Sequence, residues 1–375
     1  MLKVGIVGCG KIADAHVAQI KRISGCEIVG VCDREELMAR QLSDRLHLRR
    51  HFTDVAELLK EAAPDVVHIT TPPQSHFEIA RQCLLGRTHV YVEKPFTLNF
   101  NDAKVLIELA ETSGLKITAG HDDQFRHVAR RFREMVRKGY LGGAPVHMEG
   151  YYCYEIAENS SYAKALLGDK QHWVRKLPGQ LLHNVISHGI ARIAEFLVSD
   201  NPRVVAYGFV SPALRNMGED EIVDELRTII FDENGATAYF TFSSQMRPAL
   251  HQFRIYGPRN GLILDPDNET LVRLSGTRYK SYAEHFLSPV LLAKQYLGNT
   301  SRNVRSFLAN DFHMKSGMKY LTESFYRSIT DGTPPPIPYR EILLTARIMD
   351  SIFEQIRTAP NSNRSVPGLG NVHTV

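Results

Sequence analysis

Several short stretches carry residue types that could do chemistry. GCGKIA, Gly8 to Ala13, fits the pattern G-x-G-x-x-G/A. Between a strand and a helix, such a turn lets backbone approach a pyrophosphate, and the helix start aims free N–H groups and partial positive charge at it. The residues offered to a dinucleotide there are Gly8, Cys9, Gly10, Lys11 and Ile12. Asp33 closes the next apolar run, EIVGVCD. A carboxylate at that strand end accepts ribose hydroxyls and repels a 2′-phosphate, so NAD is expected over NADP. Arg34 beside it could stack on adenine or pair with a phosphate. TTPPQSH sets Thr70, Thr71 and Pro72 in a rigid strand-end turn, with His76 in the following helix; all four are candidate cofactor contacts.

HVYVEKP poses the sharpest question. Val90 and Val92 alternate as in a buried strand, yet the strand ends in Glu93, Lys94 and Pro95. At the carboxyl edge of an open parallel sheet these charges would face a ligand crevice rather than a core. Pro95 biases Lys94 away from helical geometry and ends the strand. Glu93 is expected to orient Lys94 or the cofactor. Farther on, HNVISH places Asn184 and His188 four residues apart, on one helix face, with His183 adjacent. His121 and Gln124 follow the last strand of the parallel series, where a substrate cleft should open.

Oxidising a secondary alcohol requires a hydride to leave carbon while a proton leaves oxygen. An ammonium near the hydroxyl stabilises the developing alkoxide. A histidine with an ordinary pKa of about 6.5 accepts the proton. Lys94 and His188 form such a pair if the fold brings them together.

The elements that must do so follow from periodicity. Strand-like and helix-like segments alternate to about residue 124: KVGIVG, EIVGVCD, DVVHIT, HVYVEK and KITAGH, separated by helical stretches. That alternation predicts a doubly wound parallel sheet. DVVHIT is counted as the fourth strand and KITAGH as the sixth; Asp54 is expected to cap a short helix. Beyond residue 124 come longer strands joined by hairpin signals, DENG and GPRNG. They predict an α+β second domain with a mostly antiparallel sheet, crossed by one helix over QLLHNVISHGIARIAEFLV and followed by helices from Met314 to Asp331 and Tyr339 to Arg357. The expected domains are 1–124, 125–357 and a loose polar tail, 358–375. Residues 280–315 read as an insertion holding two amphipathic helices, a lid, a dimer arm or a contact for a bulky substrate or membrane surface.

Composition narrows the class. The 375 residues are 43% hydrophobic and 23% charged, with 45 basic and 41 acidic residues and a net charge of +4. That balance gives no reason to invoke nucleic acid. No apolar run is long enough for a transmembrane helix, and the N-terminus reads as a strand rather than a signal peptide. Five scattered cysteines without a C-x-x-C argue against a disulfide framework or a metal site and fit the cytoplasm. The basic run Arg126 to Lys138 reads as a solvated helix face that could steer an anionic substrate.

GCGKIADAH, CDR, TTPPQSH and EKP stand in one order at compatible spacing, and together they resemble the Gfo/Idh/MocA family, relatives of glucose–fructose oxidoreductase and inositol dehydrogenase. The resemblance continues through GHDDQFRHVARRFREMVRKGYLGG, HWVRKLPGQLLHNVISH and the helix after GTPPPIPYRE, nearly the whole chain. It implies a Rossmann domain, a second domain whose open sheet often forms a homodimer or tetramer interface, and NAD(P)-dependent chemistry on a sugar, cyclitol or nucleotide-linked sugar. It implies that Lys94 contacts both nicotinamide and substrate hydroxyl, that His188 accepts the proton, and that Trp173 and Arg175 lie near the nicotinamide end. The chain departs from the family where the acid four residues before the histidine becomes Asn184 and the GG becomes Pro178-Gly179. Asn184 can hydrogen-bond a hydroxyl but cannot take a proton. That departure keeps a second reading open: a redox-neutral lyase, epimerase or glycoside-cleaving enzyme working through a transient ketone with tightly held NAD. A catalytically idle NAD-binding protein is a third, opposed by Lys94 and His188.

Overall fold

The structure is a computed structural model that describes residues 1–153, 161–233, 235–276, 282–312 and 315–358. Five apolar, β-branched runs form parallel strands: β1 (Leu2–Val7), β2 (Cys26–Cys32), β3 (Val66–Ile69), β4 (His89–Val92) and β5 (Ile117–Ala119), in the order β2-β1-β3-β4-β5. The β3 and β4 side chains lie almost wholly within the protein, as strands covered by helices on both faces must. The strand count corrects the sequence reading: DVVHIT is third and KITAGH fifth, because Phe52 makes only an isolated bridge with Cys32. Asp54 does cap a short helix, accepting from the Glu57 amide. The strand order reverses between β1 and β3, the switch point at which open sheets of this kind bind ligands.

The second sheet has seven strands, β6 (His147–Cys153), β7 (Arg203–Phe209), β8 (Glu225–Phe231), β9 (Thr237–Ser243), β10 (Leu250–Tyr256), β11 (Asn260–Asp265) and β12 (Thr270–Ser275). Their order is β12-β11-β10-β6-β9-β8-β7. Both expected hairpins are present, β8–β9 and β10–β11, and only β6–β9 pairs parallel. One face packs on a core containing Phe240, Phe242, Ile190 and Ile193. The other face leaves Val205, Tyr207, Ile229, Phe231 and Tyr239 exposed.

Three helices differ from the sequence reading. The expected single helix over 180–198 is two, Gln180–Val185 and Ser187–Ala194, interrupted at Ile186. The insertion holds one helix, Tyr282–Leu308, rather than two; buried Asn299 ties its middle to β12 by donating to the Leu271 carbonyl. Helix Ser316–Thr330 buries Leu321, Phe325 and Tyr326 in the core of the first sheet, although it comes from the far end of the chain. Apart from Thr358, the expected tail lies outside the described residues. Among those residues all five cysteines are unpaired, and no helix is long and apolar enough to cross a membrane.

Candidate active site

The carboxyl edge of the parallel sheet builds a nucleotide cradle. Gly8 has φ +96°, and a Cβ there would lie 2.7 Å from the Thr71 amide nitrogen. Only glycine fits both the left-handed conformation and the close approach. A Cβ on Gly10 would meet nothing within 4 Å, so this turn faces open space that a pyrophosphate can fill. The helix Lys11–Ile20 starts there without a side-chain cap, and its first N–H groups remain for an anion. Asp33 accepts from the Cys9 amide through Oδ2 (2.7 Å) and from the Glu35 amide through Oδ1 (3.0 Å). It is thereby fixed at the cradle rim with lone pairs to spare for ribose hydroxyls. Arg34 is exposed and pairs loosely with Glu35. These features fit an adenine dinucleotide.

Several expected cofactor contacts instead brace the cradle. The Thr70 hydroxyl donates to the Gly8 carbonyl (2.6 Å), holding the turn from behind. Thr71 Oγ1 accepts from Ser75, next to exposed Pro72. His76 is fully buried, with Nδ1 2.9 Å from the Pro95 carbonyl and Nε2 2.9 Å from the Thr71 carbonyl. It ties the ends of β3 and β4 together and has no nitrogen left for a cofactor. The Cys9 thiol is buried and pushed up to about 12 by burial and Asp33, so only its backbone serves the cradle.

Lys94 leaves β4 at the same edge. Its Nζ donates to the Asn184 carbonyl across 3.0 Å, joining residues 90 apart in sequence. The division between the two helices at Ile186 falls just beyond Asn184. Asn184 therefore meets Lys94 through its backbone, an interaction that side-chain identity does not reveal. Burial lowers the Lys94 pKa, opposed by Glu93 and Asp122. Glu93 accepts from the Lys94 amide through Oε2 (3.0 Å).

His188 sits one helical turn beyond Asn184. Its Nδ1 lies 3.9 Å from Asp123 Oδ2, too long for a hydrogen bond but close enough for strong electrostatic coupling. Burial lowers His188 to about 4 against the pull of Asp123, leaving the ring neutral at pH 7. Burial works to raise Asp123, but His188, Arg192 and Arg126 outweigh it and hold the carboxyl at about 2. Its neighbour Asp122 is raised to about 7 by burial and by Asp123. The ring of His121 lies 5.9 Å from His188, with both nitrogens buried and without partners among the described residues. Tyr152 of β6 stacks beside His188 at 6.1 Å, and His251 of β10 meets Tyr152 at 4.6 Å. One ligand atom each of Asp122, Asp123 and His188 lies within 4.8 Å of the others, a spacing a metal ion could use. The charges of Lys94, Lys315, Arg126 and Arg192 act on the same carboxylates and compensate them from within the protein.

The acid missing at position 184 thus has a counterpart on another element. Asp123 comes from the turn after β5, which sequence reading left unassigned although GHDDQF displays it. Its position depends on Gly317: a Cβ there would fall 2.2 Å from the Asp122 carbonyl, so only glycine lets helix Ser316–Thr330 press on this turn.

Three further expectations are corrected. The His183 ring stacks on Phe353 at 4.8 Å and is buried, turned into the second core instead of toward Lys94. Gln124 donates to the Ala191 carbonyl and to Glu195, fastening the turn to helix Ser187–Ala194. Arg175 is held by Glu219 and by the Leu166 carbonyl within the second domain. The Trp173 carbonyl accepts from Gln74 Nε2 across 2.9 Å, which ties this segment to the turn after β3.

Comparison with known proteins agrees with this geometry. Residues 2–121 match the GFO_IDH_MocA model, described as an oxidoreductase family with an NAD-binding Rossmann fold. Myo-inositol 2-dehydrogenase of Thermotoga maritima is 25% identical over 141 residues, 38% of this chain and 42% of that protein. UDP-N-acetylglucosamine 3-dehydrogenase of Acidithiobacillus ferrooxidans is 30% identical over 148 residues, 40% of this chain and 44% of that protein. The chain thus aligns with under half the length of both these curated relatives. Solved structures match almost end to end: the Acidithiobacillus enzyme (TM-score 0.71, 20% identity, 95% of this chain and 97% of that one), and the WlbA dehydrogenase of Bordetella pertussis in complex with NADH and UDP-GlcNAcA (TM-score 0.75, 15% identity, 95% of each chain). At these identities the structural matches establish the fold of both domains.

Proposed function

We propose that the protein is an NAD-dependent dehydrogenase acting on a secondary hydroxyl of a sugar, cyclitol or nucleotide-linked sugar. Residues 1–124 would hold the cofactor and 125–357 the substrate. One observation carries this reading: Lys94 Nζ, at the edge of the nucleotide cradle, touches the helix pair that bears His188. Bound NAD accepts or supplies the hydride. The chain's own groups handle the oxygen and its proton. Lys94 donates to the substrate oxygen and stabilises its negative charge. Asp123 favours the proton of His188 on Nδ1, which leaves Nε2 as the acceptor for the hydroxyl proton. Asp33 supports the choice of NAD over NADP. Nucleotide sugars head the substrate list because of the relatives named above.

We infer further that the exposed sheet face bearing Val205, Tyr207, Ile229 and Tyr239 joins copies of the chain into a dimer or tetramer, since so large an apolar surface favours burial. Unpaired, mostly buried cysteines suit a cytoplasmic protein.

The test is a screen of sugars, cyclitols and nucleotide sugars with NAD and NADP, followed by NADH absorbance. Stoichiometric NADH with one substrate class is expected. Substrate turnover with retained NAD and no net NADH would replace this reading with the redox-neutral one, for which the match to a glycosyl hydrolase family 109 protein of Akkermansia muciniphila (25% identity, 57% of this chain) speaks.

A further inference from the structure

A buried line of hydrogen bonds runs away from the site, and the proposed reaction does not use it. Glu93 Oε1 meets His16 Nε2 at 2.8 Å, His16 Nδ1 meets His68 Nδ1 at 2.8 Å, and His68 Nε2 meets the Tyr326 hydroxyl at 2.8 Å. All four residues are at most 6% exposed. The His68 ring is further clamped by Tyr91, stacked at 4.5 Å and 6°. These groups come from the first helix, β3, the end of β4 and helix Ser316–Thr330, so four elements converge on one line.

The chemistry of the four groups sets its polarity. Burial works to raise Glu93, but the His16 hydrogen bond and charge outweigh it and hold the carboxyl at about 2. An ionised carboxylate can only accept, so His16 Nε2 carries a proton. His68 is kept neutral by burial. If Tyr326 donates to His68 Nε2, the single His68 proton sits on Nδ1 and points at His16 Nδ1, which accepts. Every bond is then satisfied, and every donor points toward Glu93. The other oxygen of Glu93 receives the Lys94 amide.

We propose that Tyr326, His68 and His16 are positioning residues for Lys94: their hydrogen-bond line fixes the Glu93 carboxylate beneath the Lys94 backbone, so that a helix from the far end of the chain sets the aim of the ammonium. The inference rests on the reading of Lys94 given above.

Two measurements test it. In the free protein, long-range proton–nitrogen NMR of the histidine rings is expected to show His16 protonated on Nε2 alone and His68 on Nδ1 alone. A doubly protonated His16 with the His68 proton on Nε2 would reverse the line and overturn the proposal, whatever the substrate screen returns. With an active substrate, Tyr326→Phe and His16→Leu are expected to lower kcat about tenfold to a hundredfold with NAD affinity and KM little changed. His16→Gln, which keeps a donor toward Glu93, should recover part of the loss. Tyr326→Phe changes one atom and keeps its packing. Wild-type kcat in folded Tyr326→Phe and His16→Leu proteins would overturn the positioning role, and failure of the substrate screen alone would overturn only the dehydrogenase reading.

Discussion

The two sheets supply the candidate site in different ways. Every functional segment of the five-stranded sheet is a strand's own C-terminal end: Gly8 after β1, Asp33 after β2, Thr70 and Thr71 after β3, Lys94 after β4 and Asp123 after β5. The seven-stranded sheet places Asn184 and His188 on a broken helix laid across its inner face, with Tyr152 and His251 as the flanking strand residues. A parallel sheet concentrates chemistry at one edge because all its strands point the same way. An antiparallel sheet has no such edge, so it acts as a platform for a helix. The first arrangement draws each group from the end of a single strand. The second depends on contacts between elements remote in sequence.

The largest expected effect falls on the strand end. Lys94→Met should lower kcat/KM by about a thousandfold or more, since it removes a donor to the reacting oxygen. NAD binding, followed by fluorescence titration, should survive. Wild-type turnover in this variant would break the division of labour between the sheets. Next comes the cradle. Asp33→Ala should weaken NAD by about tenfold to a hundredfold through lost charged hydrogen bonds, and the NAD:NADP preference should fall in the same titrations.

On the platform side the effects are smaller and depend on pH. A base must be neutral to work, so activity disappears as pH falls through its pKa in the folded protein. With His188 at about 4 rather than 6.5, the acid limb of kcat/KM is expected near pH 4. In Asp123→Asn it should move lower still, because the carboxylate that raises His188 is gone, with kcat reduced roughly tenfold. An acid limb unmoved by this substitution would sever Asp123 from His188.

Asp122 offers a stability test. Its carboxyl is raised from 3.8 to about 7, so between these values the unfolded chain ionises while the folded one keeps its proton. Stability from this group is therefore complete below 3.8 and declines as pH rises toward 7. Asp122→Asn should raise the melting temperature above that window by about 2–4 °C for each kcal/mol relieved, and change it little below. The smallest effect per protomer is expected on the exposed face: Ile229→Lys with Tyr239→Lys should separate subunits in light scattering while NAD affinity holds.

Much of the first domain was legible because its signals are local. Gly8, Gly10 and Asp33 stand within one strand–helix–strand unit, where spacing alone fixes their roles. The second sheet was legible as a class, through hairpin signals, but its helix break was not. HNVISH reads as continuous helix by spacing, and nothing in it announces that the helix divides at Ile186. His76, Thr70 and Gln124 looked like ligand contacts because polar residues at strand ends often are. Burial turned them into braces, since enclosed backbone carbonyls and turns needed hydrogen-bond partners. His16 stood in a quoted motif without a role, because the line it forms with His68 ends at Tyr326, near the other end of the chain.

By itself the sequence determined the parallel sheet, the nucleotide cradle and the delivery of Lys94 to an edge, since these follow from periodicity and from residues a few positions apart. Only the tertiary structure decided what Lys94 meets. It set the Asn184 carbonyl rather than its side chain against the ammonium, and supplied from the turn after β5 the carboxylate that position 184 lacks. Such contacts join residues far apart along the chain, and their distances exist only once both sheets have packed.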